Sequence, residues 1–90
     1  MDKYVVKYDE LTTEEFLELW NSVWNEPPTF EQAKLAIENS LIKVSVSDED
    51  KIIATARAIG DKGMCYYIKD VIVRPEYQRN GIGRLLLNSI

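Results

Sequence analysis

The sequence predicts an α+β (mixed α/β) fold with a mainly antiparallel sheet. The apolar period is helical across residues 13–39 and gives way to β-rich runs across residues 41–73. Prolines, glycines and polar clusters divide the chain into the order β-α-α-β-β-β-α. The turns joining the last three strands are short, as antiparallel neighbours require and parallel ones do not permit.

Residues 3–8 (KYVVKY) join β-branched and aromatic residues and predict the first strand. Thr12 followed by Glu15 is a capping box, and Phe16, Leu19, Trp20, Val23 and Trp24 recur at helical spacing behind it, predicting an amphipathic helix over about 13–25. Pro27 and Pro28 end that helix, because proline lacks the backbone donor and pushes its predecessor out of helical geometry. Thr29 with Gln32 is a second capping box, and Phe30, Ala33 and Ile37 carry a second helix to about Asn39. Residues 41–47, the polar turn Asp48-Glu49-Asp50 and the run Lys51–Ile59 predict a hairpin. The turn Gly60-Asp61-Lys62-Gly63 leads into a third strand within Met64–Val73, completing a meander. Arg74-Pro75 stops it, and Gly81 opens a last helix with Ile82, Leu85, Leu86 and Ile90 on one side. That helix ends without a capping glycine or a basic last turn, and its apolar stripe asks for more sheet. The expectation is a single domain over residues 1–90, cut short at its C-terminal side.

Ninety residues suffice for one small domain that buries about 60–65% of its unfolded surface. The chain contains no histidine and a single cysteine, Cys65, which excludes an internal disulfide, a Cys/His zinc site and a histidine-activated nucleophile. No apolar run approaches the roughly 18 residues that span a bilayer, and the start MDKYVVKYDE does not resemble a signal peptide, so the chain reads as cytoplasmic with no membrane partner. Residues 1–50 carry four Lys/Arg against twelve Asp/Glu, whereas residues 51–90 carry seven against three. A net charge of −4 argues against a nucleic-acid partner, whose phosphates would need many cations, but leaves a small anion open at the C-terminal part.

The segment from Tyr67 to Arg84 holds the chemistry. A strand runs into a proline-stopped loop, and the loop passes through Gly81 and Gly83 into a helix N-terminus. Unpaired N–H groups, the positive end of the helix dipole and the neighbouring Arg79 and Arg84 make an anion site suited to a pyrophosphate. The nucleotide P-loop does not fit, for no Gly-Lys-Ser/Thr is present, and the dinucleotide fingerprint lacks its third glycine.

The pattern Gln78-x-x-Gly81-x-Gly83, directly after a strand and a proline, resembles the acetyl-CoA signature of the GCN5-related N-acetyltransferase (GNAT) family. Motif similarity covers about residues 67–86, and similarity of element order covers the whole chain. The resemblance implies a GNAT-like fold with its C-terminal strands missing, including the strand that normally completes the pantetheine gap. It implies transfer of acetyl from acetyl-CoA to a primary amine, in a small molecule or a peptide, by direct attack on the thioester without a metal. It implies that Gln78, Arg79, Asn80, Gly81, Ile82, Gly83 and Arg84 surround the pyrophosphate, that the backbone of Val71, Ile72 and Val73 pairs with the pantetheine arm, and that the two early helices wall the acceptor pocket. Two other readings stand beside it: a non-catalytic acyl-CoA-binding module, and a homodimer in which one chain's exposed sheet edge covers another's.

Asp70, read as lying at the strand end beside the thioester, is the candidate base or amine-orienting carboxylate; the competing reading is a structural ion pair with Lys69 or Arg57. Trp20 and Trp24, spaced with Phe16, read as core, Cys65 as a small buried hydrophobe, and Tyr66 and Tyr67 as sheet packing. Glu10, Glu14, Glu15 and Glu18 either attract a cationic amine or form a solvated helix face.

Overall fold

A computed structural model describes residues 4–90. Four strands and three helices follow the expected order: β1 (Tyr4–Tyr8), α1 (Thr13–Val23), α2 (Phe30–Asn39), β2 (Ile42–Asp48), β3 (Lys51–Gly60), β4 (Tyr66–Val73) and α3 (Ile82–Ser89), with a 3-10 turn at Pro75–Tyr77 before α3. The predicted position 3 of the first strand lies outside the described residues. The strands form one antiparallel sheet in the order β1-β2-β3-β4, so among the described residues β4 is an edge.

Both predicted capping boxes close. The Thr12 hydroxyl accepts from the Glu15 N–H at 3.1 Å while the Glu15 carboxylate accepts from the Thr12 N–H at 2.9 Å, and Thr29 and Gln32 repeat the arrangement at the same two distances. These reciprocal bonds satisfy helix donors that would otherwise be orphaned, and they fix where each helix begins.

The sheet is covered on both faces. Phe16, Leu19, Ala33 and Ile37 from α1 and α2 pack against Ile52 and Ile72. On the other face, Ile82 and Leu86 of α3 pack against Val44, Val46, Ile53, Ala54 and Ala56. Adjacent residues of one strand point to opposite faces, which is why Ile72 joins the first cluster and Val73 the second. An irregularity between β2 and β3 breaks this alternation: Val46 faces Ala54 while Ser47 faces Ile52, so Ile53 is an extra residue and shares a face with Ala54.

A second bulge matters more for function. Thr55 faces Ile72 and Arg57 faces Lys69, so Asp70 and Val71 together oppose Ala56. Asp70 takes up the extra residue with φ 53°, a left-handed conformation that aspartate tolerates better than most side chains. The bulge bends β4 halfway along its length and keeps Lys69 and Asp70 on the face covered by α1 and α2.

Several expectations need correction. Asp70 lies within β4, three residues before its end, rather than at the strand end. Cys65 is exposed: it belongs to the turn before β4, where its N–H donates to the Asp61 carboxylate at 3.1 Å. Tyr66 and Tyr67 do pair within the sheet, with Gly60 and Ile59, but their side chains are exposed, because they stand on an edge strand with no further strand beside it among the described residues. Of the three aromatic residues on α1, Phe16 is core, Trp20 is half-buried and Trp24 is exposed, for the helix ends at Val23 and leaves Trp24 as its cap.

Candidate functional site

The loop after β4 is tied down before it reaches α3. Arg74 donates its backbone N–H to the Ile53 carbonyl at 2.9 Å and its Nε to the Ile52 carbonyl at 2.7 Å, while its guanidinium pairs with Glu18 of α1. The 3-10 turn closes through the Tyr77 N–H on the Arg74 carbonyl at 2.9 Å. The Tyr77 hydroxyl donates to Asp48 of β2 at 2.7 Å, and that carboxylate beside it pushes the phenol up to about 12. Gln78 returns its side-chain amide to the Val73 carbonyl at 3.0 Å, capping the end of β4. The first residue of the family pattern therefore shapes the loop by holding it to the strand it has just left.

Beyond Gln78 the backbone turns sharply. Arg79 and Gly81 both take left-handed conformations, at φ 67° and 79°, and Gly81 caps α3. Leu85 is the first residue of the helix whose N–H finds an acceptor, the Gly81 carbonyl at 3.0 Å. Among the described residues, the N–H groups of residues 79–84 donate to no other group. These backbone donors at the positive end of a helix, flanked by Arg79 and Arg84, make this loop the candidate anion site. A Cβ added at Gly83 would meet nothing within 4 Å, so the protein's own packing does not require a glycine there.

The predicted site residues divide by what they offer. Ile72 and Ile82 are 1% exposed and point into the two cores, so only their backbone groups remain available. Val71, on the bulge, is 38% exposed. Gln78, Arg79, Asn80, Gly81 and Arg84 are all exposed on the loop and first helical turn.

Asp70 sits in a different environment. Its Oδ2 accepts from Arg57 Nε at 2.7 Å, and the two side chains are only 14% and 12% exposed. Arg57 also donates from Nη1 to the Ser40 hydroxyl at 3.3 Å, and Ser40 donates to the Ala36 carbonyl at 2.6 Å. This chain of contacts joins the end of α2 to the bulge of β4. The ion pair expected as the competing reading is therefore present, with Arg57 rather than Lys69, while Asp70 Oδ1 accepts no hydrogen bond among the described residues.

Asp70 also lines a cavity of about 230 Å³ between the helices and the sheet. Phe16, Trp20, Pro28, Gln32, Ala33 and Ala36 supply its helical wall, and Arg57, Lys69 and Asp70 its floor. A more open cavity lined by Ile59, Tyr67 and Ile68 adjoins it at Lys69 and Asp70. The sequence pattern placed Phe16 and Trp20 on an apolar stripe but gave no sign that they also line a cavity beside Asp70. The small side chains of Ala33 and Ala36, three residues apart on one face of α2, were the available signal.

Comparison with known proteins decides the family. The model of the acetyltransferase (GNAT) family matches residues 7–90. The chain belongs to the GNAT family. An uncharacterised ycf52-like N-acetyltransferase of Prochlorococcus marinus is 31% identical over 97 residues, covering 99% of this chain and 53% of its own length. The structure of SA2161 from meticillin-resistant Staphylococcus aureus superposes with a TM-score of 0.88 at 32% identity, covering 96% of this chain and 65% of that one. The GNAT family protein SP0256 of Streptococcus pneumoniae gives 0.83 at 30% identity, covering 96% and 64%. The chain thus spans about half the length of the curated relative and under two thirds of either solved structure. Among the described residues no helix is long and apolar enough to cross a membrane, and no group of three or more His, Cys, Asp or Glu side chains is placed to hold a metal ion.

Proposed function

We propose that this GNAT chain transfers an acetyl group from acetyl-CoA to a primary amine by direct attack of the amine on the thioester. The observation that supports it most is the run of six unengaged backbone donors over residues 79–84, held at the start of α3 by Gln78, Arg74 and Tyr77. In this reading Gln78, Arg79, Asn80, Gly81, Ile82, Gly83 and Arg84 hold the pyrophosphate, and backbone groups of Val71, Ile72 and Val73 align the pantetheine arm. Acetyl-CoA would supply an acyl carbon already activated as a thioester: a C–N bond to the amine forms, the C–S bond breaks, and CoA leaves as a thiolate that takes its proton from water. Asp70, on the bulge where β4 meets the cavity under α1 and α2, orients the amine and receives its proton; Arg57 fixes which carboxylate oxygen stays available.

Calorimetric titration of the chain with acetyl-CoA, alongside a Gly81→Asp variant, tests this. The αL conformation of Gly81 accepts aspartate better than most residues, so the variant folds while setting a carboxylate against the pyrophosphate. Binding by the parent and none by the variant is expected. A folded parent with no affinity for acetyl-CoA would refute the reading.

A further inference from the structure

We infer that Tyr77 and Asp48 form a positioning pair: the hydrogen bond between them braces the loop over residues 79–84 against the β2–β3 hairpin and presets its backbone donors for an anion. The inference deepens the acetyltransferase reading and rests on it only for the identity of that anion. The need for a brace follows from the loop's own bonding. Its last backbone hydrogen bonds before α3 are donated by Tyr77 and Gln78, at 2.9 and 3.2 Å, and the next is donated by Leu85. Across the six residues between, which include the left-handed Arg79 and Gly81, no N–H is engaged among the described residues, so the direction of these donors is set by what holds the two ends. A loop left free would have to be ordered when the anion arrives, and that ordering costs affinity.

The far end is held by α3 itself, whose Ile82 and Leu86 are buried against the sheet. At the near end, Gln78 is exposed and ties the loop only to β4, the strand it has just left. Tyr77 reaches further. Its ring packs against the core beneath α3 and meets Tyr4 of β1 edge-on, with centroids 6.2 Å apart, while its hydroxyl donates to Asp48 Oδ2 at 2.7 Å. Asp48 ends β2 and faces Lys51, which begins β3, so the accepting carboxylate stands at the tight end of a hairpin whose place the sheet fixes. Tyr77 and Asp48 are both half-buried, and a hydroxyl bonded to a charged acceptor is held more strongly than one bonded to a neutral group. Lys51 touches the same turn, with Nζ 3.4 Å from Glu76 and 5.7 Å from the centroid of the Tyr77 ring. That ion pair is half exposed at both partners and contributes little, which leaves the hydroxyl–carboxylate bond to set the loop.

The test uses the 90-residue chain and follows two quantities: acetyl-CoA affinity by calorimetry, and the backbone amide order parameters of residues 79–84 from NMR relaxation without ligand. Tyr77→Phe keeps the ring and removes only the hydroxyl. It should weaken acetyl-CoA binding about fivefold and lower the loop's order parameters from about 0.85 toward about 0.6, with α1 and α2 unchanged. Asp48→Ala reaches the same bond from the hairpin and should match Tyr77→Phe, and the double variant should be no weaker than either single one, because the two residues act as a unit. Asp48→Asn retains an acceptor oxygen and should stay within about twofold of the parent in affinity. Ile37→Val, which thins the α1–α2 core away from the loop, should lower the melting temperature and move neither quantity. In a parent that binds acetyl-CoA, a Tyr77→Phe affinity within about twofold of it, or single effects that multiply in the double variant, would overturn the inference. Loop order parameters that do not change in Tyr77→Phe overturn it whether or not acetyl-CoA binds. A loop that is rigid in the parent and loosened in both single variants, in a chain that does not take up acetyl-CoA, supports the brace and removes the transferase reading.

Discussion

Asp70→Asn is the substitution whose cost the structure sets most directly. Asparagine keeps the shape of the side chain and tolerates φ 53° at least as well, so the backbone contribution is close to zero. What changes is charge. Arg57 is 12% exposed, donates to Asp70 at 2.7 Å, and would be left with a neutral amide and the Ser40 hydroxyl at 3.3 Å. Breaking a buried pair from one side costs about 3–5 kcal/mol when the remaining charge is fully enclosed. The residual exposure and the Ser40 contact move this site to about 2–3 kcal/mol. A 90-residue domain has roughly 5–13 kcal/mol in total, so the loss is a large share of it. Urea denaturation followed by circular dichroism reads it as a fall in midpoint of about 2–3 M, for a slope near 1 kcal/mol/M. Adding Arg57→Met removes the stranded charge and should recover most of the loss, because a hydrophobic replacement of both partners is often close to neutral. An Asp70→Asn midpoint within 0.5 M of the parent would show that the pair holds nothing together. The double variant also separates two roles: stability returns, whereas amine transfer, if Asp70 receives the proton, does not.

The two loop glycines should respond with opposite signs. Gly81→Ala forces a Cβ into φ 79° and should cost about 1–2 kcal/mol, while Gly83→Ala, with nothing within 4 Å of the new methyl, should stabilise by about 0.5–1 kcal/mol in thermal melts. Gly60→Ala would set its Cβ 2.0 Å from the Cys65 carbonyl oxygen, so the β3–β4 turn must open, at a cost of at least about 2 kcal/mol by urea midpoint. Tyr77, raised in the folded state to about 12 from an ordinary 10, contributes stability that is complete below pH 10 and is lost as pH rises toward 12; melts across that range should fall more steeply for the parent than for Tyr77→Phe. Cys65, being exposed, should react with an aromatic disulfide reagent to full stoichiometry without denaturant, and a thiol that reacts only after unfolding would restore the buried reading.

These outcomes trace what local sequence can and cannot carry. Thr12, Glu15, Thr29 and Gln32 announce their helices because a capping box is closed by residues three apart, and Pro27-Pro28 acts on its own neighbours. The passage from β4 into α3 was legible for the same reason: Pro75 and Gly81 act on their own neighbours to make the turn and the helix start. Cys65 and Trp24 are not buried as expected, and the exposure of Tyr66 and Tyr67 within the sheet was not legible, because burial is decided by what lies beside a residue in space. High β-propensity is identical in a central strand and at an edge, and β4 is an edge here. The bulge at Asp70 shows the limit most clearly. Nothing in Lys69-Asp70-Val71 specifies an extra residue; it follows from the register of β4 on β3, where Arg57 meets Lys69 and Thr55 meets Ile72. Arg57 then secures the result, since its bond to Asp70 is available only when the carboxylate projects toward α2. A charge pair that was open between two partners in the sequence thus becomes, in the fold, the contact that ties the bulge of β4 to the end of α2.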